Sequence, residues 1–314
     1  MKLLLFGDDF RLGVLHAQSQ VIDVSNVVED IPRQTPQGLI RGLIEHFDQY
    51  REPLHQAATG GQGQPVGQLK IKPPLPHPAN IICMAVNYME DGTRTEPAPI
   101  NAFIKSPSAI IGPDDTMVLP DVAATIFEGE AEVAVVIGKR ATAVPQSEAM
   151  KYVFGYVNFI DGSARGMVPA AQSFYQMKSR DTFAPIGPYL VTADEVPDPH
   201  KLPIKLWNNG TLYQNFNSDD MAHKIPRCIE WVTSIHTLEP GDILATGTNH
   251  RGLNPFMDGD VIELETEGLG RLRIKVRDDL HRTWARETRL QRQEKGLDGT
   301  TPQLSGKYAE AKVA

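Results

Sequence analysis

The sequence predicts a mainly β, α+β fold: a mixed β-roll or sandwich core preceded by a small N-terminal α+β domain. Three observations carry this reading. From about residue 81 to 278, short β-rich runs such as "AEVAVVIG", "GPYLVT" and "GDILATGT" are separated by Gly/Pro turns. Few long helical periodicities interrupt them, and none alternates with strands in the regular manner of a doubly wound sheet. Residues 2–25, "KLLLFGDDFRLGVLHAQSQVIDVS", read as a three-strand meander that stands apart from the rest.

Taken in order, the meander is followed by a helical stretch, 37–50, with Leu39, Ile40, Leu43, Ile44 and Phe47 on one face. The Gly- and Gln-rich "AATGGQGQPVGQ" then reads as an exposed linker, which makes residues 1–70 a small appended domain. A proline-rich approach, "KIKPPLPHP", leads into a strand at 81–86, because proline holds the chain extended. The larger domain spans 71–280, and its clearest helices are 147–153 and 222–236, where Ile225, Ile229 and Val232 recur at helical spacing. After Asp278 the chain turns polar and charged. Residues 281–314 are therefore expected to form a peripheral arm, ordered only if it docks. No internal repeat is visible.

Composition narrows the function. The 314 residues are 41% hydrophobic and 22% charged, as in an ordinary globular protein, with a formal charge of −8. That charge, without a long basic cluster, argues against nucleic acid or an anionic membrane and for a small molecule or a second copy of the chain. Cys83 and Cys228 are far apart and in no metal-binding pattern, so buried reduced thiols are expected. The opening "MKLLLFGDDF" is too short and too acidic for a signal-peptide core, and no run approaches the ~18 apolar residues of a membrane span, which places the protein in the cytoplasm.

The most informative stretch is "FEGEAEVAVVIGKR", residues 127–140. Alternate residues of a strand share a face, so Glu128, Glu130 and Glu132 point the same way, directly before an apolar run. Carboxylates that close repel one another, and burying them costs several kcal/mol each without cationic compensation. Either this face is wet or it holds a cation. Downstream, "GYVNFIDGSAR" presents Asp161 at the end of an apolar strand-like run, where binding groups are often displayed.

Several separated motifs then fall in one order: "NIICMAVNY", "FIKSPSAIIGPDD", "EGEAEVAVVIGKRA", "YVFGYVNFIDGSAR", "MKSRDTFAPIGP", "NNG", "LEPGDILATGT" and "DGDVIELETEGLG". Over roughly residues 73–278 the chain resembles the fumarylacetoacetate hydrolase family. The resemblance implies that family's β-roll and a divalent cation, Mg²⁺ or else Mn²⁺ or Ca²⁺, on Glu130, Glu132 and Asp161, with Glu128, one alternation too early, either beside the ligands or exposed. An all-carboxylate set suits such hard cations better than zinc, and three protein ligands leave positions for a chelating 2-oxo acid or diketo compound. The resemblance further implies that Lys178 donates to a developing oxyanion or to the substrate's oxygen, that Arg165 holds either a substrate carboxylate or a group behind the metal ligands, that Thr248 holds the substrate, with Tyr88 also in contact, and that the protein is a homodimer.

One departure bears on mechanism. Where hydrolytic members carry "N-Y-x-x-H", this chain reads "NYMED", with Asp91 at the histidine position. Candidate bases are therefore Asp91 and Glu90, then Glu96, and as a different substitute His250 in "GTNHRG", with Arg251 beside it as a second carboxylate contact. The expected activity is metal-dependent hydrolysis of a C–C bond in a diketo or 2-oxo acid through an enolate, in the catabolism of cyclic or aromatic compounds. The same metal site also serves an isomerase, decarboxylase or lyase of an unsaturated 2-oxo acid. A metal-binding homologue without activity is the remaining reading.

Overall fold

The computed structural model describes residues 1–167, 174–297 and 299–309. Among these, strand dominates, in a twelve-stranded mixed sheet and a five-stranded sheet. The fold is mainly β, α+β. Among the described residues, no helix is long and apolar enough to cross a membrane.

The centre of the large sheet is the pair Ile126–Ile137 and Val153–Arg165, antiparallel over almost their whole length. Ala184–Thr192 flanks this pair on one side. On the other lie Ile243–Ala245, Ile81–Met84 and Ala102–Lys105. Every residue of Ile126–Ile137 is buried. Its odd positions, from Phe127 through Ala131, Val133 and Val135, enter one core together with the five-stranded sheet's Ile204, Leu206, Ile262 and Leu264. On the even face, Ala134 and Val136 enter a second core with Leu39, Ile40, Leu43 and Ile44 of the N-terminal helix. The carboxylates at 128, 130 and 132 occupy the part of the even face that this second core leaves uncovered.

The N-terminal helical region is longer than the periodicity predicts. One helix, Pro36–Glu45, is capped by the Thr35 side chain, and a second, Phe47–Gly60, follows after a break at His46. The start of the expected linker, Ala57 to Gly60, is thus helical. Pro53 and the glycines are breaker signals, but burial of Tyr50, Leu54 and Ala58 along one face outweighs them. The meander does not form a sheet of its own: Lys2 and Leu3 pair with Val191 and Leu190, so the large sheet runs on across residue 70. The predicted helix at 147–153 is a 3-10 helix, Gln146–Tyr152, and that at 222–236 is the α-helix Ile225–Thr233. Both cysteines are free and buried.

The described part of the C-terminal arm docks on its own chain. Arg282 is 1% exposed, and its guanidinium bonds both oxygens of Asp278 and the carbonyls of Pro120 and Val122. Trp284 packs edge-on against Phe127, and Arg286 pairs with Asp260. A short helix, Arg289–Glu294, follows with a capping box at Thr288.

Candidate active site

Strand register assembles the acidic cluster. Glu130 stands directly opposite Asp161 in the antiparallel ladder, and Glu132 lies one alternation further along the same face. Ligand atoms from Glu130, Glu132 and Asp161 all lie within 4.8 Å of one another, and all three residues are buried. This face is not wet; it holds cations supplied by the protein.

Lys178 Nζ donates to Asp161 Oδ2 at 2.5 Å and to Glu130 Oε1 at 2.8 Å. Lys105 Nζ donates to Asp161 Oδ1 at 2.5 Å and to the Gly162 carbonyl at 3.1 Å. Arg165 bridges two glutamates, with Nε on Glu128 Oε2 at 3.0 Å and Nη2 on Glu130. Arg289 of the arm bonds both oxygens of Glu128, Nε on Oε1 at 3.3 Å and Nη2 on Oε2. Glu128 is thereby committed to two arginines. An alternating chain results, Arg289–Glu128–Arg165–Glu130–Lys178–Asp161–Lys105.

The three glutamates differ electrostatically because their neighbours differ. Burial alone raises a carboxyl pKa. For Glu130 burial is outweighed by Lys178 and Arg165, which hold the group well below the usual range. For Glu128 the opposing charges are Arg289 and Arg165, again with a net lowering. Glu132 moves well upward through burial, Asp161 and Glu130. Its Oε2 accepts from the Gly247 backbone at 2.7 Å, whereas Oε1 is buried without a partner among the described residues. Gly247 sits at φ +88°, where an added Cβ would also meet the Asn87 Cβ at 3.0 Å, so glycine is needed to aim that N–H.

Arg165 and Arg289, which bond Glu128 and Glu130, also line a cavity of about 380 Å³, together with Glu90, Arg94 and His250 among others. Two of these form a dyad: His250 Nδ1 lies 2.6 Å from Glu90 Oε1, and the His250 backbone N–H donates to Glu90 Oε2 at 2.8 Å. His250 is also among the charges acting on Glu130. The Glu90 loop reaches this position through three successive left-handed residues, Glu90 (φ +57°), Asp91 (φ +53°) and Gly92 (φ +78°). Asp220 braces the turn, its carbonyl accepting from Met89 N and its carboxylate from Asp91 N.

The remaining expected residues fall as follows. Asp91 is absent from the cavity lining, and its half-exposed carboxylate pairs with Arg251, which does line it. Glu96 is exposed and also outside the lining. The Thr248 hydroxyl donates to Ala131 O at 2.7 Å and accepts from Gln214, which leaves it no free donor. Tyr88 is fully buried with its ring edge-on to Phe216, and its hydroxyl, near Thr246, makes no hydrogen bond of ordinary geometry. Sequence reasoning missed Lys105 and Arg289. Lys105 follows the apolar "AFI" of a strand inside a quoted motif, a signal open to use; Arg289 lies in a polar arm with no periodicity to mark it.

The carboxylate cluster fits a hard divalent cation. Its donors are all carboxylate oxygens within one small volume, and the orphaned Glu132 Oε1 is the kind of buried polar atom that an ion would satisfy.

Comparison with known proteins agrees. Residues 80–277 match the model described as fumarylacetoacetate (FAA) hydrolase C-terminal. The chain belongs to the fumarylacetoacetate hydrolase family. Within that family it is 30% identical to a maleylpyruvate hydrolase of Aquipseudomonas alcaligenes over 88% of this chain and 99% of that protein. It is 37% identical to the rat mitochondrial oxaloacetate tautomerase Fahd2a over 68% of this chain and 71% of the relative. Among solved structures, maleylpyruvate hydrolase from Sphingobium sp. SYK-6, in complex with manganese(II) and pyruvate, matches with a TM-score of 0.79 at 35% identity, covering 88% of this chain and 99% of that one. Relatives in the family thus include both a maleylpyruvate hydrolase and an oxaloacetate tautomerase, and this chain is an enzyme of the same superfamily.

Proposed function

We propose that the protein is a divalent-metal-dependent hydrolase that cleaves a C–C bond in a diketo or 2-oxo acid, with His250 as general base and Glu90 as its orienting partner. The observation that carries this is the His250–Glu90 pair on the wall of a cavity that Arg165 joins to the carboxylate cluster, by lining the one and bonding Glu130 of the other. It supplies the base that the absent histidine of "NYMED" leaves wanting.

Glu90 accepts the Nδ1 proton of His250, which fixes the tautomer and leaves Nε2 free to take a proton. A carboxylate behind an imidazole also stabilises the imidazolium that forms on proton transfer. Glu130, Glu132 and Asp161 would hold a divalent cation, Mg²⁺ or Mn²⁺ by donor chemistry, which would supply Lewis acidity for enolate charge. His250 removes a proton from water, the water oxygen adds to the carbonyl carbon beyond the bond to be cleaved, and the proton passes on to the departing carbon. Lys178, held in place by Asp161 and Glu130, keeps a fixed positive charge beside the reacting oxygens, since these carboxylates outweigh burial and raise its pKa.

The same groups serve a second reaction. If His250 takes its proton from the carbon next to the oxo group, the outcome is tautomerisation or isomerisation, as the tautomerase relative's name indicates for that protein. Water labelled with ¹⁸O separates the two. During turnover of an acylpyruvate by the metal-loaded protein, hydrolysis places label in the carboxylic acid product. Turnover that leaves the acid unlabelled sinks the hydrolase assignment in favour of proton transfer.

A further inference from the structure

The family match ends at residue 277, yet three residues beyond it, Arg289, Leu290 and Gln293, line the cavity that contains Glu90 and His250. The arm that carries them is pinned by buried groups: Arg282 on Asp278 and Trp284 against Phe127. We propose that this arm completes the active site with a distal anion subsite, in which Arg289 and Arg94 take a second carboxylate of the substrate. The proposal rests on the oxo-acid reading of the site.

Charge on the cavity wall supports it. Four arginines line the cavity, Arg94, Arg165, Arg251 and Arg289, against a single carboxylate, Glu90, which is engaged with His250. Arg165 is committed to Glu128 and Glu130. Arg251 is partly offset by Asp91. Arg289 grips Glu128 through Nε and Nη2, and among the described residues its Nη1 makes no hydrogen bond. Arg94 is exposed on the Glu90 loop, with no ion-pair partner among the described residues. Donors of Arg94 and Arg289 therefore remain for a ligand anion, and guanidinium is the side chain best matched to a carboxylate. Arg165 links the two ends, bonded to Glu130 while it lines the cavity. A volume of about 380 Å³ exceeds what a three-carbon acid fills. The group that this subsite takes is thus an anion at the end of the substrate remote from the carboxylate cluster.

The test is calorimetric titration of the full-length, Mn²⁺-loaded protein with two stable probes, pyruvate and 2-oxoglutarate. The variants are Arg94→Gln, Arg289→Gln and Arg289→Lys. The unaltered protein is expected to prefer 2-oxoglutarate. Arg94→Gln and Arg289→Gln should each weaken 2-oxoglutarate about tenfold or more while moving pyruvate less than about threefold, the scale of one lost charged hydrogen bond, with Arg289→Lys retaining part of the affinity. Equal losses for both probes, or none, overturn the distal subsite. Arg94 is exposed and its side chain makes no hydrogen bond or ion pair among the described residues, so its variant folds and decides the matter even if Arg289→Gln does not. If neither probe binds in a Mn²⁺-dependent way, the oxo-acid reading falls and this inference with it; if pyruvate alone binds, equally in all forms, only the inference falls.

Discussion

Glu128, Glu130 and Glu132 are chemically identical and two residues apart, yet the fold gives them three different environments. Glu128 is held by Arg165 and Arg289, Glu130 by Arg165 and Lys178, and Glu132 by one backbone N–H with an oxygen left over. Alternation in the sequence established that they share a face. It contained no signal for which cation meets which carboxylate, because Lys105, Arg165, Lys178 and Arg289 arrive from different elements. The choice of base shows the same limit. Motif position drew attention to Asp91, but its neighbour Glu90 is the residue that meets His250, while Asp91 pairs with Arg251. Deuterium exchange into the methyl group of pyruvate, followed by NMR in D₂O with Mn²⁺ present, tests this directly. His250→Gln is expected to slow exchange by ~10² or more, the scale of general-base catalysis, and Asp91→Asn by much less. The reverse order would return the base to Asp91.

Among the elements, the long Ile126–Ile137 strand was the most legible, since its apolar run and acid alternation both carry a period of two. The second N-terminal helix was less so, because Pro53 and the trailing glycines speak locally against a helix that tertiary burial nonetheless holds. The C-terminal arm was the least legible. Its composition is that of a solvated tail, but its anchor is a fully buried Arg282–Asp278 pair, and a buried ion pair leaves no apolar pattern to read. Truncating one partner of such a pair is strongly destabilising because the other charge stays buried. Arg282→Ala is therefore expected to cost about 3–5 kcal/mol in denaturant unfolding, against less than about 1 kcal/mol for an exposed pair member such as Arg273. A loss no larger than that of Arg273→Ala would mean that the arm is held elsewhere.

At the scale of the molecule, the large sheet joins regions that the sequence presents as separate. The meander pairs with Ala184–Thr192, which pairs with the strand that carries Asp161. Buried carboxylates that repel one another, one with an oxygen unpaired among the described residues, are a liability that a bound divalent ion would relieve, so metal binding on the proposed site would be coupled to folding. Mn²⁺ at about a hundredfold over its Kd is expected to add about 2.7 kcal/mol to unfolding free energy. This should appear as a rise in Tm that a chelator reverses and that Asp161→Asn or Glu132→Gln abolishes. An equal rise in those variants would place the ion elsewhere.

The sequence by itself determined the family, the mainly β fold and the acidic trio, because strand periodicity and motif order are local properties of the chain. Only the tertiary structure decided that Glu90 meets His250, that lysines and arginines from four elements line the carboxylates, and that a polar arm returns to wall the cavity. Those contacts join residues up to 161 positions apart. Charge pairing across such distances obeys geometry and burial, neither of which a linear pattern records.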